Sequence, residues 1–328
     1  MLSSLAFALV FGTLPADSTV SAEVCSVERP AYASAKDAEL AYRDLGPVNG
    51  RPVLLIAGTD QQMTQWPASF LAAMQAQGLR PIIYDSRDVG CSTHHTARGP
   101  VNWGEVFAAL ATGRPPNLAY DLETLAADPV AILDQLGITR ADLVGVSGGA
   151  TVAGELAAAQ PERVGQLVLV MANSGNPALP MPADPARLAA LPPLPAMDAP
   201  VETIAAYRAA AWRIMDGPDT LEPSASYPQM AQEATARSWD VDSIGRAGAA
   251  LLAAGDRRSR FAVIRSPAVV IHGAADPLVS PAAGQEVATA IPQATFVLVP
   301  RMGHSLTLPA IEAILQGLSV TTSQGRPN

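Results

Sequence analysis

Short apolar runs recur along the chain, and stretches with helical spacing lie between them. Pro52 to Ala57, Pro81 to Tyr84, Asp142 to Val146, Gln166 to Met171, Pro267 to Ile271 and Thr295 to Val299 are largely continuous apolar runs. Such runs mark strands covered on both faces. Glu39 to Arg43 instead alternates, as an edge strand does. Trp66 to Gln77 has helical spacing and ends at Gly78; Asp121 to Leu136 ends at Gly137; Ala150 to Gln160 ends at Pro161. Pro129 lies inside the second of these and predicts a kink or break. Strands alternating with helices predict an α/β fold, with a mostly parallel sheet flanked by helices on both faces. Ligands of such sheets bind at the carboxyl ends of the strands, where Thr59, Asp85, Ser147 and Asn173 fall.

The alternation stops near Asn173. Pro177, Pro180, Pro182, Pro185, Pro192, Pro193, Pro195 and Pro200 follow, a density no strand tolerates. Helical patterns resume at Val201 to Met215 and at Gln229 to Ala254 before the run at Pro267. Residues 175–262 therefore read as a helical cap inserted into a core made of residues 23–174 and 263–320. Residues 321–328 read as a flexible tail.

At the other end, Leu2 to Leu14 is apolar and uncharged, and Val20-Ser21-Ala22 resembles a cleavage site. Residues 1–22 are expected to be a signal peptide and the protein to be exported, although no Lys or Arg precedes Arg29. The stretch is too short to span a bilayer, and no later run is long and charge-free enough.

Composition narrows the function. The chain has 328 residues, 49% hydrophobic and 16% charged, which suits a globular fold with a substantial core. Its formal charge of −9 argues against nucleic acid as a partner, because phosphate binding needs a basic face. The two cysteines, Cys25 and Cys91, have no metal-ligand spacing. Their expected state is two unlinked thiols, with pairing open if the protein is exported. The oligomeric state is left open.

Gly145-Val146-Ser147-Gly148-Gly149 lies between a strand-like and a helix-like run, the setting of a G-x-S-x-G nucleophile elbow. Small residues let strand and helix pass closely while the serine hydroxyl is lifted clear. A serine nucleophile needs a base and an acid, and both follow in chain order. Of four histidines, His304 lies in a glycine-containing loop after the last strand. His272 ends a buried strand and is expected to be a core histidine; His94 and His95 are expected at the surface or facing the cap. Asp276 follows the strand at Pro267 to Ile271, and Asp256 and Glu286 are weaker candidates for the acid. The amides of Gly148 and Thr59 are the expected oxyanion donors. Trp66, Tyr207 and Trp212, with Trp239, are candidate substrate-wall residues. No cofactor or metal is required.

These residues carry a resemblance. Tyr84 to Thr93 (YDSRDVGCST), His272 to Val279 (HGAADPLV), Ala290-Ile291-Pro292, Pro300 to His304 and the pair Trp66-Pro67 are similar to α/β-hydrolases. The likeness covers nearly all of residues 36–318. Within that superfamily the chain resembles esterases grouped with aclacinomycin methylesterase and macrolide-hydrolysing esterases. The resemblance implies Ser147 as nucleophile, Asp276 as acid, His304 as base and a small-molecule ester as substrate. Many relatives carry His-Gly where this chain has Ala57-Gly58, and a larger residue where it has Gly148. Asp85, Arg87 and Asp88 are expected to brace their loop by an ion pair. Proline-iminopeptidase-like or amidase activity, or a non-catalytic binding protein on the same fold, are the rival readings. The proline-releasing enzymes' His-Gly-Gly-Pro-Gly stretch is absent from residues 57–61.

Overall fold

The computed structural model describes residues 19–20, 22–179 and 181–319. Most of the segment expected to be a signal peptide, and the expected tail, lie outside the described residues. The central sheet has eight strands in the order β10-β9-β7-β6-β4-β5-β3-β2. They are β2 (Ala31–Ala35), β3 (Ala38–Asp44), β4 (Arg51–Ile56), β5 (Leu79–Tyr84), β6 (Ala141–Val146), β7 (Val164–Val170), β9 (Ala268–Gly273) and β10 (Thr295–Val299). Two further short strands, β1 (Thr19–Val20) and β8 (Ser238–Trp239), pair with each other outside the sheet. β4, β5, β6, β7, β9 and β10 run parallel, and β2 and β3 form an antiparallel hairpin beside β5. β3 is thus not the edge strand that its alternation suggests, because β2 covers it. The alternation holds because polar residues of β3 meet partners: Glu39 accepts from Ser34 of β2.

The helices are α1 (Ala22–Glu28), α2 (Ala68–Ala76), α3 (Trp103–Ala111), α4 (Leu122–Gln135), α5 (Gly148–Ala159), α6 (Pro185–Leu188), α7 (Val201–Met215), α8 (Tyr227–Arg237), α9 (Val241–Ala253), α10 (Arg258–Phe261), α11 (Pro281–Ala290) and α12 (Leu308–Ser319). α4 is capped by Asp121, whose side chain accepts from the Thr124 amide, and it runs through Pro129 without a break. The proline costs one amide, and the helix is held on both sides of it by the buried Leu125, Ile132 and Leu133. None of the helices among the described residues is long and apolar enough to cross a membrane.

Alternation along each central strand divides the core in two. Leu54, Ile56, Leu143, Leu167 and Val270 face one layer with Leu125, Ile132 and Leu156. Val53, Leu55, Val144, Val168 and Ile271 face the other with Phe70, Met74, Ile311 and Ile314. The order of strand addition reverses about β4: β5 lies on one side, and β6, β7, β9 and β10 step away on the other. The loops after β4 and β6 therefore flank the switch point where such sheets bind ligands.

Between β7 and β9 the chain leaves the sheet and forms α6 to α10. The pattern at 229–254 is two helices rather than one, because Ser238–Trp239 is extended and Asp240 caps α9 by accepting from Asp242 and Ser243. Buried arginines fasten this insertion to core loops. Arg237 donates to both oxygens of Asp85, and Arg246 to both oxygens of Asp88. Arg87 instead grips Asp128 of α4, with Nε 2.8 Å from Oδ2. The loop is braced as expected, but each charge reaches a separate, distant partner.

The expectation of unlinked thiols is overturned. Cys25 and Cys91 form a disulfide, with Cα atoms 5.7 Å apart, that ties α1 to the loop after β5. Sequence spacing gave no sign of it, because the pair spans 66 positions and meets only once that loop folds back. Glu28 at the end of α1 completes the attachment by accepting from Arg237 and Arg43.

Candidate active site

Ser147 caps α5 at φ 54°, ψ −120°, a left-handed conformation that costs a non-glycine residue energy. The flanking glycines make the turn possible. A Cβ on Gly145 would lie 2.5 Å from the Gly149 carbonyl, and one on Gly149 would lie 2.2 Å from that of Ile56. The Ser147 amide donates to Val170 O at 2.9 Å, so the turn is pinned to β7. Its side chain stands at the carboxyl end of β6, half-buried.

Asp276 and His304 reach the serine from two other loops. His304 Nε2 is 2.9 Å from Ser147 Oγ, and its Nδ1 is 2.7 Å from Asp276 Oδ2. In the matching tautomer, Nδ1–H donates to the carboxylate and the serine hydroxyl donates to Nε2. The other carboxylate oxygen, Oδ1, accepts from the Leu278 and Val279 amides at 2.8 and 2.9 Å. Burial alone would raise the Asp276 carboxyl, but His304, His272 and the Val279 amide outweigh it and hold it well below the usual carboxylate range. Asp256 and Glu286 are engaged elsewhere, with Arg258 and with Ser174 and Asn176.

Thr59 follows β4 and lies against Gly148. A Cβ on Gly148 would stand 2.5 Å from Thr59 Oγ1 and 3.4 Å from its amide nitrogen. The threonine side chain thus occupies space that a larger residue at 148 would need, which accounts for glycine there. Gly148 is the first residue of α5, where backbone N–H groups have no partner within the helix. Thr59 and Gly148 thus adjoin each other next to Ser147, whose Cβ is 3.4 Å from a Cβ built on Gly58.

The other expected residues are distributed differently. Trp66 is 3% exposed and packs in the core against Phe70, so it supports the loop after β4 instead of forming a wall. Trp212 packs edge-on to Tyr227 within the insertion, and Tyr207, half-buried, packs edge-on to the buried Trp239. His94 faces the insertion, with Nδ1 3.3 Å from Asp240 Oδ2, and His95 packs on Tyr120. Asp88, His94 and Asp240 bring ligand atoms within 4.8 Å of one another. Arg246 already donates to both of these carboxylates, so the cluster's negative charge is met by a guanidinium.

Two further contacts escaped the sequence. His272 is buried as expected, yet its Nε2 lies 3.0 Å from Val279 O and 3.4 Å from Asp276 Oδ2, making it a neighbour of the acid. Asp60, next to Thr59, faces Arg208 of α7, Oδ2 to Nη1 3.5 Å. Adjacency to Thr59 was the one available signal for Asp60; its partner lies far along the chain.

Residues 51–309 match the model of the α/β-hydrolase fold family. The chain is 26% identical over 298 residues to a rhodomycin D methylesterase of Streptomyces peucetius, covering 85% of this chain and 93% of that protein. It is 34% identical over 152 residues to a 2-hydroxy-6-oxononadienedioate/2-hydroxy-6-oxononatrienedioate hydrolase of Burkholderia vietnamiensis, covering 45% of each. Among solved structures, an enol-lactonase from Burkholderia xenovorans superposes with a TM-score of 0.64 at 24% identity, over 88% of this chain and all (100%) of that one. A methylesterase, a dienedioate hydrolase and an enol-lactonase thus stand among the proteins to which this chain is similar.

Proposed function

The chain belongs to the α/β-hydrolase fold family, and we propose that it is a serine hydrolase of small-molecule carboxylic esters. The observation that carries this reading is the continuous contact from Asp276 through His304 to Ser147, 2.7 and 2.9 Å. His304 takes the hydroxyl proton as Ser147 Oγ attacks the ester carbonyl. Negative charge collects on the carbonyl oxygen, where the Thr59 and Gly148 amides donate to it. His304 then passes its proton to the departing alcohol. It next deprotonates the water that cleaves the acyl-enzyme, which restores Ser147. Asp276 fixes the tautomer and balances the imidazolium. No step draws on a cofactor or metal.

The insertion acts as a cap that selects the substrate, with Tyr207 as its half-buried aromatic. The likeness to a rhodomycin D methylesterase supports an ester substrate, and the substrate class proposed is a macrolide or polyketide ester or lactone. The Cys25–Cys91 bond supports export, since disulfides persist in oxidising compartments.

The test is a panel of nitrophenyl esters of rising acyl length, plus a macrolide lactone, with wild type and Ser147→Ala. Turnover of short acyl esters that disappears in the variant is expected. Equal turnover by Ser147→Ala removes the serine from the mechanism, and ligand binding without turnover of any ester or amide supports a receptor-like role.

A further inference from the structure

Helix α7 of the insertion touches two loops that carry reacting groups. Near its middle, Arg208 is 3% exposed. Its Nη1 is 3.5 Å from Asp60 Oδ2, its Nη2 donates to Ser238 O at 3.1 Å, and its guanidinium lies 5.0 Å from the Trp239 ring centre. A guanidinium so enclosed needs a carboxylate, and among the described residues Asp60 is the one in ion-pair range. Asp60 itself sits at φ 60°, a conformation a non-glycine residue keeps only when its surroundings hold it. The residue before it is Thr59, the oxyanion donor.

At its far end α7 meets the histidine loop. Met215 O accepts from the His304 amide at 2.7 Å. The next carboxylate, Asp216, is 6% exposed and accepts from Ser305 Oγ at 2.8 Å and from Tyr227 Oη at 2.8 and 3.0 Å. Gly217 presses on the same loop: a Cβ there would fall 2.4 Å from the Gly303 nitrogen. The Asp219 amide adds a bond to Arg301 O at 3.1 Å. Ser147 needs none of this, because its turn is pinned to β7.

We propose that Arg208 and Asp216 are positioning residues: Arg208 sets the Thr59 amide through Asp60, Asp216 sets His304 through Ser305, and chemistry requires α7 to be seated on both loops. This inference rests on the esterase reading for its kinetic half. Neither side chain reaches the reacting atoms. If they only fastened the insertion, their loss would lower stability and substrate affinity and leave kcat unchanged. A misplaced oxyanion donor or base acts on kcat, since small displacements at the reacting centre cost about 10- to 100-fold.

The experiment uses the full chain with Arg208→Met, Arg208→Lys, Asp216→Ala, Asp216→Asn and Asp60→Asn. Three quantities are read: kcat and KM on nitrophenyl acetate, thermal midpoint, and amide hydrogen exchange of peptides spanning 57–62 and 301–306. For Arg208→Met, kcat is expected to fall about 10- to 100-fold with KM within about threefold, and exchange to rise in 57–62 and not in 301–306. Asp216→Ala should show the reverse exchange pattern, and the Lys and Asn variants should recover part of kcat. Asp60→Asn loosens the same loop without altering α7, so it keeps the test decisive if Arg208→Met fails to fold. Unchanged exchange in both loops, or a rise in KM with kcat preserved, overturns the proposal. Absence of Ser147-dependent turnover in the wild type defeats the esterase reading instead, and hydrogen exchange still judges the positioning.

Discussion

His272 and His304 share one carboxylate oxygen: Asp276 Oδ2 lies 3.4 Å from His272 Nε2 and 2.7 Å from His304 Nδ1. The buried histidine steadies the acid from behind while the other faces the serine. His272→Phe should retain the fold and lower kcat about tenfold, by analogy with metal sites, where loss of a partner behind a ligand costs about 10- to 100-fold. Gly284→Ala should do the same by another route, since its Cβ would stand 2.3 Å from His272 Nδ1. Steady-state kinetics on both variants provides the check; wild-type kcat in both leaves His272 a core residue only.

Asp276→Asn keeps the shape and removes the charge. Activity should fall by about 10⁴-fold, because the amide favours the wrong imidazole tautomer. The same variant carries a stability signature. Asp276 titrates lower in the folded chain than in the unfolded one. Its contribution is therefore complete above the ordinary carboxylate range and fades as pH falls below about 4. Urea midpoints of wild type and Asp276→Asn should differ most near neutrality and approach each other in acid. A gap that stays constant with pH contradicts this.

Neighbouring glycines should fail differently. Gly148→Ala pushes against the Thr59 hydroxyl, 2.5 Å from the added Cβ, and should fold but turn over more slowly. Gly149→Ala meets the carbonyls of Ile56 and Ala57 at 2.2 and 2.4 Å, backbone that has nowhere to go. It should lower the thermal midpoint or prevent folding altogether. Circular dichroism melts with kinetics separate the two outcomes.

Closing a loop of 66 positions is worth about 4 kcal/mol in the chain-entropy account. Cys25→Ser should lower the melting temperature by roughly 5–15 °C, and a reducing agent should bring wild type down to meet the variant. A wild-type melt insensitive to reductant would falsify the bond. Activity below the melt should persist, since the disulfide holds α1 and not the reacting loops.

The sheet was legible because buried parallel strands leave continuous apolar runs, and β4, β6 and β10 announce themselves in Val, Leu and Ile. Ser147, Asp276 and His304 were legible because each occupies a short loop after such a run, in a fixed chain order. What escaped depends on distance across the fold. The partners of Arg208, Arg237 and Cys25 lie in other segments, and charge or thiol content says nothing of which pairs will meet. Trp66 departs from the expected wall position for a related reason: its place after the loop of Thr59 is readable, but whether the ring turns inward depends on Phe70 and the layer beneath. β3 alternates like an edge strand, and only the hairpin with β2 shows that it is not one.

Arg208, Arg237 and Arg246 plug the insertion into Asp60, Asp85 and Asp88 like keyed pins. Asp85 and Asp88, at 0% and 2% exposure, would lose the guanidinium that balances their charge if their pins were withdrawn and keep backbone donors from Met63, Cys91 and His95. Grafting a foreign lid onto this base would strand them, so lid and sockets must travel as a single cassette in any redesign of the scaffold.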